Sequence, residues 1–571
     1  YTRAQVTRFS PRSLAILEIQ SRRDLEIMEK IYANSVLLGD NGPDGWGIKY
    51  AQGDFNMTSD SKLFPPRPKW EAEGYRPDEY SRWLKGDWRP IGELWAELGM
   101  DPSRPLPVEV KIEDWLFDTA ASVEERTGHA RFVHGHFLKP GDVQRTPWRI
   151  RCVQPPYDAL PVPRAEIPPG IILSRDADAW IREELTEDIA VPLYQGLMIW
   201  NYDCSFSGWV SGTGRSANWN PIEWKRKCVI PQYLVSMSDY NGREKAIKEA
   251  KLCLRRITTA VHQRTAVASL VPNFPCGDVA SVVQPAAIKD RLLLAVAMNL
   301  FPVDFVAKKS CTYLHLDWHV VESLSMPRLP EEMVEYCLRL NCVIPNFSQL
   351  RIQMHALGFT HFAKPALTLE ERLRVDAIVQ SIGLCTLSLS LFETECLLTD
   401  CDWPLEYISR SNTPALDPKG FWRIDKDKEP ELRHTVLTLI AFHDLEEKIR
   451  ACGSDREKGI EAFLNQNDGE GWMLPETLRL ADYGLGHDER AKHPQPVASR
   501  FGPRFYDWQL AQSAEESWRE CHLHTRNLLG EAGYRQLLED IESPKDGQKA
   551  PQVSEPPATY NHRKGEQGKL F

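Results

Sequence analysis

The stretches RTAVASLVP, at residues 264–272, and DRLLLAVAMNLFPVDFVAKK, at residues 290–309, decide the fold class of this chain. The first is a short apolar run that ends at a proline, which is typical of a buried β-strand. The second is long and apolar around most of its circumference, which predicts a buried helix. A strand followed closely by a buried helix predicts a domain of mixed α and β structure.

The sequence around this pair predicts further elements of both kinds. REKAIKEAKLCLRR, at residues 243–256, has the spacing of an amphipathic basic helix, and YLHLDWHVVESLSMP, at residues 313–327, predicts an extended segment. The remaining predictions are a helix within 12–33 and strands at 46–50 (WGIKY), 191–200 (VPLYQGLMIW) and 228–235 (CVIPQYLV). The aromatic, Gly-rich residues from Trp209 to Trp224 predict a loop.

Composition divides the chain into five parts. We predict a mixed α+β fold with an irregular Pro/Trp-rich N-terminal connector, a central α+β domain and a mainly helical C-terminal domain. The predicted parts are a connector at 1–64, a Pro/Trp-rich insertion at 65–180, the central domain at 181–330, the helical domain at 331–542 and a disordered tail at 543–571.

Length and charge limit the classes of function. The 571 residues are 42% apolar and 26% charged, which is ordinary for a soluble globular protein, and no run of about 18 apolar residues predicts a membrane span. The net charge of −11 argues against a protein that coats nucleic acid, although a local basic patch is enough for contact with DNA. Because the first residue is Tyr1 rather than Met, we expect a fragment or processed chain, not an export signal.

The cysteines and histidines do not predict a metal site. The 13 cysteines are scattered and none forms a CxxC pair, so we expect buried thiols in a reducing cytoplasm. His129, His134 and His136 are close in sequence, but Lys, Pro and Arg surround them, which favours a solvated loop.

The motifs for catalysis are weak or missing, and we predict no catalytic residue in this chain. QPPY, at residues 154–157, is the nearest match to the Asn/Asp-Pro-Pro-aromatic loop of amino-methyltransferases, but Gln is one methylene too long and no Gly-rich cofactor loop precedes it. GWVSGTGRSANW contains Gly-x-Gly in a Trp-rich loop, with no helix after it. Asp101, Glu109 and Lys111 fit the permissive spacing of metal-dependent nucleases, so a nuclease remains an alternative.

Two basic stretches have the composition of a DNA-binding surface. Arg243 to Arg264 contains seven Lys/Arg against two glutamates, and Lys225, Arg226 and Lys227 follow two tryptophans. Lys and Arg bind phosphates, whereas Arg, Asn and Thr also reach base edges. On charge alone, a solvated basic helix face is the better explanation of the first stretch.

Four segments resemble the C-terminal part of the large restriction–modification-type adenine methylases, which include the phage growth limitation methylase of BREX systems and the methylase of DISARM systems. The segments are DFNMTSDSKLF (54–64), PLYQGLMIWNYD (192–203), RRITTAVHQRTAVASLVP (255–272) and TYLHLDWHVVESLSMP (312–327). The chain departs from the family pattern at Gln195, Val261 and Gln263, and Ser310-Cys311 replaces the usual Gly-Gly.

This resemblance implies that residues 181–330 form a target-recognition domain for double-stranded DNA. It also implies an S-adenosylmethionine-dependent N6-adenine methyltransferase domain upstream, as the source of the cofactor and the chemistry, and other phage-defence subunits as partners. We expect no cofactor in this part of the parent protein. A scaffold that docks onto other subunits of a defence complex is the alternative function.

The resemblance places five residues of the third segment on the recognition surface, and the second basic stretch adds three more. The predicted DNA-contacting residues are Arg255, Arg256, Thr258, Arg264, Thr265, Lys225, Arg226 and Lys227. For Arg264 and Thr265, buried hydrogen bonds within the strand framework are an equally good explanation. Thr58 and Asp60 either contact the nucleic-acid backbone or the methyltransferase domain, or they close a local turn.

Overall fold

The structure is a computed structural model of the chain. It describes residues 2–99, 164–243, 249–359, 365–399, 432–473 and 514–542, except positions 18, 20, 261, 312, 313 and 468. It also describes residues 420, 421 and 428 and the backbone of five short strands between 108 and 152. The described helices and strands confirm the predicted mixed α+β class. No described single helix has both the length and the apolar composition to cross a membrane; Leu369–Thr386 and Leu391–Thr399 meet both criteria only together, across a bend of 115°.

Fifteen helices lie in the described part of the chain. They are α1 (Arg3–Phe9), α2 (Arg22–Ala33), α3 (Arg67–Ala72), α4 (Ile91–Glu97), α5 (Met237–Asn241), α6 (Ile288–Met298), α7 (Phe301–Ser310), α8 (Trp318–Val321), α9 (Met333–Asn341), α10 (Ser348–Ala356), α11 (Leu369–Thr386), α12 (Leu391–Thr399), α13 (His434–Ala451), α14 (Arg456–Leu464) and α15 (Ala514–Glu542).

The described strands are short. They are β1 (Val36–Leu37), β2 (Lys49–Ala51), β3 (Arg76–Pro77), β4 (Trp83–Gly86), β5 (Arg89–Pro90), β6 (Val108–Lys111), β7 (Arg131–Val133), β8 (His136–Leu138), β9 (Val143–Arg145), β10 (Trp148–Cys152), β11 (Ile171–Leu173), β12 (Ala179–Arg182), β13 (Thr186–Pro192), β14 (Ser207–Ser211), β15 (Asn218–Pro221), β16 (Leu234–Ser236), β17 (Lys251–Arg255), β18 (Ala268–Val271), β19 (Ala280–Gln284) and β20 (Ser325–Met326).

The chain forms two compact units. The first contains Tyr1–Arg67, Val191–Asn341 and Leu369–Phe501, and the second contains Pro68–Ala190, Cys342–Thr368 and Gly502–Phe571. Both units are assembled from segments that are distant in sequence, so neither coincides with one continuous stretch of chain.

An antiparallel sheet in the order β18-β17-β19-β2 is the centre of the first unit. Cys253 of β17 faces Ser269 of β18 on one side and Val282 of β19 on the other, and Val282 in turn faces Ala51 of β2. Every residue of β18 and β19 is buried. Helix α6 packs against β18, and α9 packs against α6.

The strand and helix predicted at 264–272 and 290–309 are confirmed in kind. Strand β18 is the last part of the first stretch, and the second stretch forms two helices, α6 and α7, rather than one. The break follows Asn299, where Pro302 stands in the first turn of α7. Because proline lacks a backbone N–H, it is tolerated at the start of a helix and not in its interior.

The prediction of a basic helix at 243–256 is wrong for its second half, which is strand β17. Lys251 to Leu254 are all buried, because β17 pairs with strands on both of its sides. The helical spacing of the charged residues was misleading because one of them, Lys251, has a buried partner in a remote segment. Positions 244–248 lie outside the described residues.

Four other predictions need correction. The segment predicted to be extended at 313–327 contains helix α8, whose first turn begins where the Asp317 carbonyl accepts the N–H groups of Val320 and Val321. The strand predicted at 191–200 ends at Pro192, and Gly196–Met198 form one 3₁₀ turn. The strand predicted at 228–235 is reduced to β16 at its end, and the loop predicted from Trp209 contains the β14–β15 hairpin.

The second unit contains regular structure where the sequence predicted an irregular insertion. β11, β12 and β5 form one sheet, and β4 pairs with both β3 and β13. Trp83 and Trp180 are fully buried in this unit, so tryptophans that lack a periodic spacing still form a core. The residues QPPY at 154–157, the histidines at 129 and 134 and the tail at 543–571 lie outside the described residues, as do the side chains of His136, Glu109 and Lys111.

Candidate nucleic-acid interface

The four segments that resemble the methylase family meet on the central sheet of the first unit. In the first segment, the Asp54 carboxylate lies 2.6 Å from the Lys251 ammonium nitrogen and accepts the N–H of Cys276 at 2.8 Å. Both charged side chains are almost fully buried. Burial alone would lower the pKa of Lys251, but its interactions with Cys276, Tyr240 and Asp54 raise it, so the lysine remains charged inside the unit.

The second segment contacts the same stretch, residues 275–277, that the first segment contacts. The N–H of Tyr194 donates to the carbonyl of Pro275, and the N–H of Gly277 donates to the carbonyl of Tyr194. A Cβ at Gly196 would lie 3.0 Å from the carbonyl oxygen of Val279, so this glycine allows the 3₁₀ turn to approach the sheet.

A buried group of charges holds the end of the second segment. Lys227 lies 2.6 Å from Asp203, and burial lowers the pKa of Lys227. Arg372 donates to the carbonyl of Tyr202 and lies 3.6 Å from the ring centre of Trp224. Burial lowers the pKa of Arg372 to about 10. Tyr202 has a φ of +56°, a strained conformation that these contacts maintain.

The third segment is attached to helix α7. The Asp304 carboxylate accepts the N–H groups of Thr265 and Ala266 at 2.8 and 2.6 Å. Arg264 donates to the Asn299 carbonyl, and its guanidinium lies 4.6 Å from the ring centre of Phe301. These contacts place Arg264 and Thr265 inside the unit.

The fourth segment runs antiparallel to the start of the third. Leu316 donates its N–H to the Arg256 carbonyl, and Thr258 donates its N–H to the Leu314 carbonyl. Arg256 also forms an ion pair with Asp317 at 2.7 Å. The four segments therefore form one structure, although the first ends at residue 64 and the fourth begins at residue 312.

The outer side of this structure combines a cation with apolar and polar side chains. Arg255 is half-buried, donates to the carbonyl of Ile257 and has no acidic partner among the described residues. Burial lowers its pKa. The neighbouring exposed side chains are Leu197, Ile257, His262, Gln263, Leu314 and His315. We call these six residues and Arg255 the outer face.

Comparison of the chain with family models, with curated proteins and with solved structures found no match.

The structure divides the eight predicted DNA-contacting residues into two groups. Thr258, Arg264 and Thr265 are buried, and the Lys227 side chain is only 3% exposed. Arg264, Thr265 and Lys227 each contact a carbonyl or carboxylate group, and the Thr258 hydroxyl lies 3.4 Å from Nδ1 of His262. Arg226 is exposed, Arg255 is half-buried and Arg256 is 20% exposed. The Lys225 side chain lies outside the described residues.

Sequence analysis did not assign a function to His262 or to the exposed apolar residues of the outer face. The signal was present in ITTAVHQR, where the outward residues Ile257, His262 and Gln263 lie between inward ones. The family resemblance drew attention to the residues that match the pattern, and of these Thr258, Arg264 and Thr265 are buried.

Thr58 and Asp60 belong to a turn on the first segment. Asp60 accepts the N–H of Asn56 at 3.0 Å and pairs with Arg243 at 3.1 Å. The Asn56 side chain accepts the N–H of Thr58 at 2.9 Å, and Thr58 is exposed. Asp60 therefore has the local turn role that the sequence suggested as an alternative.

Gly212 and Gly214 lie in the connection between β14 and β15, where Gly214–Ser216 form one 3₁₀ turn and not the start of an α-helix. No described group of three or more His, Cys, Asp or Glu residues could hold a metal ion. We derive no chemical step through S-adenosylmethionine or a metal ion.

Proposed function

We propose that this chain recognises a specific sequence in double-stranded DNA, as part of an S-adenosylmethionine-dependent N6-adenine DNA methyltransferase in bacterial restriction–modification or phage defence. It would act in the cytoplasm, with the methyl transfer supplied by a methyltransferase domain of the parent protein. The observation that carries the proposal is the convergence of the four family-like segments around one sheet.

The contacts explain the buried polar side chains in and beside these segments. Asp54, Lys251, Thr258, Arg264 and Thr265 are polar residues whose buried interactions hold remote parts of the chain together. Such a rigid framework is what a recognition surface requires, because side chains must be held in place to distinguish bases. The residues of the outer face are attached to this framework and point toward solvent.

The charge of the outer face supports DNA as its ligand. Arg255 is a half-buried cation without an acidic partner among the described residues, and Arg226 in the same unit is exposed. A guanidinium contacts phosphate through charge-assisted hydrogen bonds, and the chain's net charge of −11 would otherwise repel DNA. The favourable interaction must therefore be local.

The test is duplex-DNA binding by the full chain between about 50 and 200 mM salt, using a random-sequence pool. We expect the affinity to fall steeply with salt. Arg255→Gln should reduce the slope of log affinity against log salt by about 0.9, the contribution of one phosphate contact. Arg22→Gln is the matched control, because Arg22 is an exposed cation on α2. Absence of binding at low salt would contradict the proposal.

A second candidate function is a scaffold subunit of a phage-defence complex. It is favoured by the apolar side chains of the outer face, since Leu197, Ile257 and Leu314 are 46%, 46% and 64% exposed. Co-expression with the methyltransferase subunit would test it. A DNA-free complex that is lost in Ile257→Asp, together with no duplex binding by the wild-type chain, would favour the scaffold.

A further inference from the structure

The buried residues at 258–265 hold a short exposed segment in a fixed conformation. The Thr265 hydroxyl donates to the Thr259 carbonyl at 3.0 Å. The Lys308 ammonium group, from α7, donates to the carbonyls of Ala260 and His262 at 3.2 and 2.5 Å. Val261 lies outside the described residues. Between these attachments, His262 and Gln263 are exposed.

The hydrogen bonds assign the tautomer of His262. Its Nδ1 atom lies 3.3 Å from the backbone nitrogen of Thr259, which can only donate, and 3.4 Å from the Thr258 hydroxyl, which can donate or accept. Nδ1 must therefore be unprotonated and accept this hydrogen bond, so the proton of a neutral imidazole is on Nε2. The Nε2–H group of the ring then takes no part in the hydrogen bond to Thr259.

The electrostatic environment agrees with a neutral ring. Burial of part of the ring lowers the pKa of His262, and the charges of Arg255 and Lys308 lower it further. The side chain therefore presents one directional N–H donor rather than a positive charge. A neutral donor is suited to a base acceptor, whereas a cation is attracted to any phosphate.

We infer that His262 and Gln263 are the residues that determine the DNA sequence this chain recognises, through contacts with base edges in the major groove. The inference rests on the proposed function and deepens it. The His262 Nε2–H donates to an acceptor such as guanine N7 or O6 or thymine O4. The Gln263 amide has the donor and the acceptor that match adenine N6 and N7.

The neighbouring residues of the outer face have complementary roles. Arg255, which is close enough to lower the pKa of His262, binds the phosphate backbone next to the bases. Ile257 provides an exposed apolar contact of the type that recognises a thymine methyl group. Thr258, Arg264 and Thr265 act only as positioning residues, because their side chains are buried.

His262→Asn separates recognition from folding. The Asn oxygen occupies the position of Nδ1 and still accepts the Thr259 N–H, but no group replaces Nε2–H. Gln263→Ala removes the second recognition group. His443→Asn is the matched control, because His443 is a partly exposed histidine on helix α13.

In the experiment, the wild-type chain and the three variants each select short sequences from a pool of random duplexes of about 20 base pairs. We expect His262→Asn and Gln263→Ala to lose about tenfold preference for the selected base, each at one or two adjacent positions, with unchanged affinity for unrelated duplex. His443→Asn should select the wild-type sequence. If the wild-type chain selects a sequence and both variants select the same one, the inference is wrong and the proposed function stands. If the wild-type chain binds no duplex, both are wrong.

Discussion

The ammonium nitrogen of Lys251 lies 2.6 Å from a carboxylate oxygen of Asp54, and both side chains are buried where the first family-like segment meets strand β17. Each charge compensates the other in surroundings with little access to water. Removal of one partner leaves the other charge buried and unpaired, which is much more costly than the loss of a surface ion pair.

Lys251→Met should therefore lower the free energy of unfolding of the first unit by about 3–5 kcal/mol. Denaturant unfolding, followed for both units, measures the change. Arg22→Ala removes the exposed pair with Glu26 and should change the free energy of unfolding by no more than about 0.5 kcal/mol. A loss below about 1 kcal/mol in Lys251→Met would show that the pair is not buried as described.

His262 should make the third segment sensitive to pH. Because its pKa is lowered from the ordinary value of 6.5, the unfolded chain binds the proton before the folded chain does. The stability that the neutral ring contributes is complete above a pH equal to the ordinary value of 6.5, and it is lost as the pH falls below 6.5 and through the lowered pKa of the folded chain.

The measurement compares thermal unfolding of the wild-type chain and His262→Asn at about pH 7.5 and about pH 5.5. The variant keeps the hydrogen bond to Thr259 but cannot titrate, so the wild-type chain should lose more stability on acidification than the variant does. Equal losses in the two proteins would show that the His262 ring is already protonated or makes no such bond.

The turn after α13 contains two consecutive residues with positive φ, Gly453 at +71° and Ser454 at +64°. Only glycine adopts this conformation without a steric cost, which is about 1–2 kcal/mol for other residues. We expect Ser454→Gly to raise the free energy of unfolding by up to about 1 kcal/mol and Gly453→Ala to lower it by about 1 kcal/mol. Changes of opposite sign in the free energy of unfolding of the two variants are the decisive result. No atom would contact a Cβ at Gly453, so the cost of Gly453→Ala comes from the backbone conformation alone.

The cysteines should differ in their reactivity toward a thiol reagent. Of the eleven cysteines in the described residues, nine are buried, whereas Cys228 and Cys452 are partly exposed. Burial raises the pKa of the Cys253 thiol, so little thiolate forms at neutral pH. We expect Cys228 and Cys452 to react before Cys253 and Cys276 in the folded chain, as mass spectrometry of the labelled peptides would show. Early labelling of Cys253 would indicate that the sheet opens.

In the third family-like segment, the sequence predicts the strand but not which side chains face outward. The sequence correctly predicted strand β18, because its apolar run is buried in any arrangement of the sheet. It also identified Arg255, Thr258, Arg264 and Thr265 as a related set. It did not distinguish the residues that face inward from those that face outward, because both sets contain polar side chains: Thr258, Arg264 and Thr265 are buried, whereas His262 and Gln263 are exposed.

The sequence by itself determined the mixed α+β class and the positions of the buried helices α6 and α7, since long apolar runs have few other ways to leave water. Tertiary structure alone decided that Lys251 is part of a central strand and that Arg264 lies between α7 and the sheet. The physical reason is that a buried charge is stable only with its partner, and the partners Asp54 and Asp304 lie in segments whose proximity no local pattern encodes.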